Sequence, residues 1–257
     1  MPKIKLLLDY PVAFIEEKKA LVISDLHLGI EHELFRSGIT INPQSEKFAK
    51  LLNKLIQQLR AKYLIILGDV KHEVPGTSFR ELKQIPKFFE AVKDVKIFIA
   101  RGNHDVGLED ILPSYVSLHG SRGFRMQEYG FFHGHAWPSK LLTRCDYLFM
   151  GHLQPAVEFV DSFGFRSIEQ VWLKGRLNRE KVKEKYKTKK VGKLKLLILP
   201  SFNKLSGSLI LNRTSPSELL GPVISRGFAE LEKFDVHLLD GTYLGKLGSI
   251  NFKPESA

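Results

Sequence analysis

The chain has 257 residues, 43% of them hydrophobic, with a net charge of +11 and a pI near 9.6. That length and apolar content can bury one large α/β core, while the single cysteine, Cys145, excludes an internal disulfide and a thiolate metal cluster. The opening apolar run Ile4–Leu8 is too short for a signal peptide, and no stretch reaches the ~18 uninterrupted apolar residues of a membrane span, so a soluble protein of the reducing cytoplasm is expected.

In chain order, Ala20–Ile23 predicts a short buried strand ending at Ser24-Asp25. Ser45 to Arg60 predicts a helix after Pro43, because Phe48, Leu51, Leu52, Leu55, Ile56 and Leu59 fall at helical spacing and make one apolar stripe. Tyr63–Leu67 is the next strand and stops at Gly68-Asp69. Phe79–Val92 predicts a second helix, bent or interrupted around Pro86, which lacks the amide hydrogen a helix interior needs. Val95–Ala100 is a third strand, running into Arg101-Gly102-Asn103-His104-Asp105. Strands Gly130–His133, Tyr147–Met150 and Leu194–Leu199 follow, and the last enters the turn Pro200-Ser201-Phe202-Asn203. Strands alternating with helices argue for an α/β fold with a largely parallel first half.

The charge is concentrated. Between Lys174 and Lys195 lie eleven Lys or Arg against Glu180 and Glu184, a local net of +9, so the other 28 positives and 26 negatives nearly cancel. This reads as a basic insertion or arm at about 174–195 on a single domain spanning 1–257. Such a patch concentrates polyanions and speeds their encounter. Lys185, Lys187, Lys189 and Lys190 are the candidate nucleic-acid contacts, against the plainer reading of a solvated face.

Five polar clusters follow apolar strands: Asp25-Leu26-His27, Gly68-Asp69, Gly102-Asn103-His104-Asp105, His133-Gly134-His135 and Gly151-His152-Leu153-Gln154. Each alone reads as a cap, a turn or a core histidine. Their recurrence at strand ends, where α/β folds gather functional groups, points to one site. Hydrolysis of a phosphate ester at neutral pH needs a strong nucleophile and neutralisation of phosphoryl charge, which two divalent ions about 3.5–4 Å apart supply by sharing a hydroxide. In extended backbone Asp25 and His27 point to one side and can grip one ion. Asp69 can bridge through its two oxygens, and Asn103, His133 and His152 can hold the second ion. A ligand set of nitrogen and oxygen suits manganese, iron or zinc.

These residues resemble the calcineurin-like metallophosphoesterase superfamily, whose ordered pattern is D-x-H, G-D, G-N-H-D/E, H-G or H, and G-H-x-H. The match runs over about residues 20–155. Gly68-Asp69-Val70-Lys71-His72, His133-Gly134-His135 and Gly151-His152-Leu153-Gln154-Pro155 are similar, more narrowly, to archaeal SbcD-related and bacterial ligase-associated phosphoesterases. The resemblance implies a four-layer α/β/β/α sandwich of two packed mixed sheets flanked by helices. It implies that Asp25 and His27 bind the first metal, Asp69 bridges, and Asn103, His133 and His152 bind the second. His104 would protonate the leaving oxygen, oriented by Asp105. Manganese is the expected metal, with iron, zinc and nickel left open. Partners are expected to be nucleic acid or nucleotide, with a helicase or other DNA-repair protein.

The sequence departs from that pattern at Gln154, where the family has a second imidazole; an amide oxygen is a weaker donor. Auxiliary candidates are His135, His72 and the phosphate-clamping Arg101, each of which could equally make supporting hydrogen bonds or a surface ion pair. Asn203 is a candidate to close over the site, and Trp137 and Trp172 are candidate stacking faces or core residues. The expected function is a two-metal phosphodiesterase or nuclease. Its alternatives are an enzyme for a small nucleotide or phosphate ester, and a weakly active or inactive fold kept as a protein-binding scaffold.

Overall fold

The computed structural model describes residues 3–214 and 220–250, and its strands form two mixed sheets. The first sheet runs in the order of the chain: β1 (Ile4–Leu6), β2 (Ala13–Ile15), β3 (Ala20–Ile23), β4 (Tyr63–Ile66), β5 (Lys96–Ala100) and β6 (Val116–His119). Strands β3 to β6 are parallel, while β1 and β2 add antiparallel hairpins. The second sheet contains β7 (Phe124–Met126), β8 (Tyr129–Phe132), β9 (Tyr147–Met150), β10 (Pro155–Val160), β11 (Arg166–Arg176), β12 (Lys195–Ile198) and β13 (Leu209–Ile210). Its order is β13-β10-β11-β12-β9-β8-β7, with β14 (Asp235–Leu238) and β15 (Tyr243–Lys246) branching from β11. The long β11 changes partners along its length. Its first half pairs with β10, and its second half with β12 on one side and β14 on the other.

Side-chain alternation builds the layers. Leu21 and Ile23 of β3 join Leu64 and Ile66 of β4 under α2 (Ser45–Leu59) and α3 (Phe79–Ala91), while Ala20, Val22 and Ile65 turn the other way. There they meet Tyr129, Phe131, Phe149, Trp172, Leu197 and Leu199, which form the inner face of the second sheet. The outer face of that sheet is covered by α4 (Arg179–Tyr186), α5 (Pro222–Ser225) and irregular chain, through Val182, Val223 and Ile224. A short helix, α1 (Ile30–Arg36), follows the first polar cluster. No helix among the described residues is long and apolar enough to cross a membrane.

One expectation is corrected in part. Helix α3 runs through Pro86 without interruption, because a capping box between Ser78 and Glu81 and burial of Ile85, Phe88 and Phe89 outweigh one missing hydrogen bond. The basic segment falls on regular elements. Lys174 to Arg176 end β11, Arg179 to Tyr186 form α4, and Lys195 begins β12. Asn178 caps α4 by accepting from the amides of Glu180 and Lys181.

Candidate metal centre

All five polar clusters lie at the carboxyl ends of parallel strands, three from the first sheet and two from the second. Backbone pairing continues past the strands and draws the loops together. The Asp25 amide donates to the Gly68 carbonyl (3.2 Å), that of His27 to Asp69 (2.8 Å), and that of Gly151 to His133 (2.9 Å). Asp25, His27, Asp69, His152 and Gln154 all hold left-handed backbone, with φ of 54°, 41°, 49°, 66° and 47°. Such conformations are costly for residues with a Cβ and persist where surrounding structure imposes them, most often at functional sites. Gly102 is required by close approach: a Cβ there would lie 2.1 Å from Asp69 Oδ1.

Three candidate ligands converge on His133. Its Nε2 lies 3.2 Å from Asp69 Oδ2, 3.1 Å from Asn103 Oδ1 and 3.1 Å from His152 Nδ1. Its Nδ1 donates to the Leu67 carbonyl at 2.6 Å, which aims Nε2 into the cluster. One N–H cannot serve three acceptors grouped around it, whereas a divalent cation can take all of these atoms as ligands. Asp69, His133 and His152 therefore fit a cation by their own geometry. Asp25, His27 and Asp69 make a second such group, with His27 Nε2 3.7 Å from Asp69 Oδ2.

Asp69 Oδ2 faces both groups. Its other oxygen accepts the His104 amide at 2.9 Å, so Oδ2 is the oxygen turned toward both groups. The means by which Asp25 and His27 share a side differs from expectation. The chain is left-handed at both positions, and each amide is tied to the β4 loop, in place of an extended run.

The electrostatics are those of a buried charge cluster. Burial raises the Asp69 carboxyl, but hydrogen-bonded His133, together with His27, outweighs it and holds Asp69 below the usual range. Burial lowers His133, yet Asp69 and Asp25 lift it to about 9. Burial raises Asp25 over the opposing pull of His133. Burial also drives His27 to about 3, against the pull of Asp69, and His152 to about 3, with His133 adding to it. Both therefore stay neutral at neutral pH and keep lone pairs for a cation.

Gln154 stands where its amide reaches the first group: Nε2 is 3.0 Å from His27 Nε2 and 3.5 Å from Asp25 Oδ1. Its Oε1 accepts from Ser206 Oγ at 3.1 Å. Turning the amide over would aim Oε1 at the cation position and leave its NH₂ facing Ser206 Oγ, an acceptor as well as a donor.

His104 Nδ1 donates to the His72 carbonyl at 2.6 Å, leaving Nε2 free. The expected orienting carboxylate, Asp105, does something else. It is fully buried and accepts the amides of Val70 (2.8 Å) and Gly102 (2.8 Å), stapling two cluster loops together. The His72 ring stands against His27, Nδ1 to Nδ1 at 3.2 Å, and its Nε2 faces the Glu33 carboxylate. With His27 Nε2 committed to a cation, His27 Nδ1–H donates to His72, and His72 Nε2–H donates to Glu33.

The other candidates divide clearly. The His135 ring lies 5.2 Å from that of His133, with its Nδ1 buried and without a hydrogen-bond partner among the described residues, and burial takes it to about 4. Arg101 pairs with Glu109 at 2.8 Å, so the surface-acid alternative describes it. Asn203 does not close over the site but lies beneath it, its amide donating to the Leu26 carbonyl at 2.9 Å. Trp172 is core. Trp137 packs on Phe228 at 4.8 Å. Sequence reasoning missed Glu33, Ser201 and Ser206. Ser201 Oγ lies 2.9 Å from the Asp25 carbonyl, and neither serine carries a motif that singles it out.

A two-sheet sandwich carrying a carboxylate, imidazole and amide cluster that fits two cations at its strand ends defines a metallophosphoesterase. The chain belongs to the calcineurin-like phosphoesterase family, whose model matches residues 18–238. Its fold is similar to that of nuclease MPE from Pseudomonas putida, at 18% identity over 93% of each chain with a TM-score of 0.56. A more distant match is YfcE, a phosphoesterase from E. coli, at 20% identity over 54% of this chain and 72% of that one, TM-score 0.36. No curated protein matches the chain significantly.

Proposed function

We propose that this protein hydrolyses phosphodiester bonds in nucleic acid, with Asp25, His27, Asp69 and Gln154 holding one divalent cation and Asp69, Asn103, His133 and His152 the other, manganese being the favoured ion. The observation that carries the chemistry is Asp69 Oδ2 facing both His27 and His133. When bound, the cations would acidify water and neutralise charge on the phosphoryl oxygens. The His72 carbonyl holds the His104 ring so that Nε2 can carry a proton to the departing oxygen, a role that contributes ~10²–10⁴-fold where it is positioned. The left-handed backbone and the Asp105 staple keep the ligands in place before substrate arrives.

The polyanion is favoured by where α4 sits. Tyr186 Oη donates to the Pro138 carbonyl at 2.6 Å, and Lys185 Nζ stands 3.5 Å over the Trp137 ring, on the segment that leaves His133-Gly134-His135. The carboxyl end of the basic helix thus packs on the segment that follows the His133-Gly134-His135 cluster, and a cationic surface there would attract a polyanion.

The test is cleavage of single- and double-stranded DNA and of bis-p-nitrophenyl phosphate with manganese. Asp69→Asn and His104→Ala are expected to abolish or cripple both reactions. A variant with Lys185, Lys187, Lys189 and Lys190 changed to Gln is expected to lose DNA affinity and salt dependence while still hydrolysing the small ester. Unchanged DNA cleavage in that variant refutes the polyanion. A second reading, a weakly active binding module, is favoured by Gln154 in place of an imidazole. Absence of any metal-dependent hydrolysis would select it.

A further inference from the structure

At the end of the sandwich away from the metal centre lies a cavity of about 920 Å³, lined by residues that face between the sheets, such as Phe149 and Leu197, and by residues of the outer-face core, such as Leu177 and Phe234. Its location follows from strand direction. The metal centre lies past the carboxyl ends of β9 and β12, whereas this cavity is lined by Tyr147 and Lys195, the residues that begin them. Arg176 pairs with Lys195, which pairs with Tyr147; one row further in, Lys174 pairs with Leu197, which pairs with Phe149. Leu197, Phe149 and Trp172 belong to the inter-sheet core. By alternation, Lys174 and Arg176 share the face of Trp172, and Lys195 shares that of Leu197. Three cations therefore point into the mouth of an apolar slot.

None of the three is in an ion pair among the described residues. The acids that line the cavity each pair with another lysine, Asp235 with Lys246, Glu230 with Lys233 and Glu180 with Lys183, although Asp235 also acts on Lys174 from the neighbouring strand. Among the described residues, Lys174, Arg176 and Lys195 have no carboxylate within ion-pair distance, and Lys195 lies 5.4 Å over the Tyr147 ring. Burial holds the Lys174 ammonium below its ordinary range, outweighing the opposing pull of Asp235. Neighbouring strands are about 4.8 Å apart, so one multivalent anion can reach all three side chains. The opposite wall is apolar, from Ile4 and Leu6 of β1. A volume of this order is typical of small-molecule sites.

We propose that this cavity binds a nucleotide, with its phosphates on Lys174, Arg176 and Lys195 and its base between Tyr147 and the β1 wall. A carboxylate ligand would leave two of the three cations unmatched. A bare polyphosphate would leave the aromatic and aliphatic walls unused. The site is independent of the metal centre and of its substrate.

The experiment titrates ADP into the full chain, stripped of divalent ions, by calorimetry. Wild type is expected to bind one ADP. The pair Lys174→Gln and Lys195→Gln should weaken binding about tenfold or more, as expected for the loss of charged hydrogen-bond donors. Lys189→Gln with Lys190→Gln, in the segment after α4, should leave it unchanged. The melting temperature of the first pair is expected to stay level or rise, because like charges are removed, which separates lost binding from lost folding. No binding at about 5 mM ADP, a level that only a very weak site fails to fill, overturns the proposal. So does equal binding by the pair variant. Pyrophosphate binding as tightly as ADP would refute the base contact, and decyl phosphate binding more tightly would refute the nucleotide.

Discussion

Replacing Asp105 separates two accounts of the motif in which it stands. In the structure its carboxylate does not touch the His104 ring; it accepts the Val70 and Gly102 amides at 2.8 Å each, with Lys71 further off at 3.4 Å, in a fully buried setting. Asp105→Ala leaves two buried amides without acceptors, at ~1–3 kcal/mol each, or ~2–6 kcal/mol together. Burial, then the neighbouring Asp69, raises the Asp105 carboxyl, so removing that charge returns part of the cost. A net loss of about 2–4 kcal/mol is expected, and roughly half of that for Asp105→Asn, which keeps one acceptor. Urea denaturation of the metal-free variants measures the loss, and amide hydrogen exchange at Val70 and Gly102 localises it. The pH–rate profile should keep its shape. If Asp105→Ala unfolds within ~0.5 kcal/mol of wild type while its rate profile shifts with pH, the carboxylate acts through His104 and the staple account is wrong.

Gln154→His should raise manganese affinity about tenfold by placing an imidazole beside His27 and Asp25, measured by calorimetry. Its left-handed backbone is one that His152 already adopts, and unchanged affinity would mean that the amide already coordinates fully. Metal binding should release about one proton at pH 7 and strengthen as pH rises, because His133, at about 9, is protonated until a cation displaces its proton. Calorimetry in buffers of different ionisation enthalpy counts that proton. The linked stability has the matching sign: the raised His133 stabilises the metal-free fold fully below its unfolded value of about 6.5, and this contribution fades as pH climbs through about 9. Glu33→Gln should weaken manganese binding by up to about tenfold without lowering the melting temperature, since Glu33 is exposed and acts only through His72. Equal affinity would remove the Glu33–His72 support from the site.

Much of the architecture was legible in the chain because burial is periodic. The stripe on α2 buries Phe48, Leu52, Leu55 and Ile56, and the apolar runs at Ala20, Tyr63 and Tyr147 are strands whose polar ends converge. Pro86 was misread because local propensity cannot weigh one lost hydrogen bond against the face carrying Ile85, Phe88 and Phe89. The basic run is a different case. Charge density along the sequence could not reveal that strand register would turn Lys174 and Lys195 toward the space between the sheets while α4 carried Lys185 to Trp137.

The residues alone marked the candidate side chains for the chemistry, because strand ends bearing carboxylate, imidazole and amide donors recur too regularly for ordinary turns. The tertiary structure decided how they are arranged: that Asp69 turns Oδ2 toward both groups, that Asp105 ties loops together, and that Ser201, Ser206 and Glu33 bond to candidate ligands or their neighbours far from them in sequence. The division has a physical origin. Ligand type and local periodicity are properties of neighbouring residues, whereas hydrogen-bond direction between distant loops exists only once two sheets have packed and fixed their register.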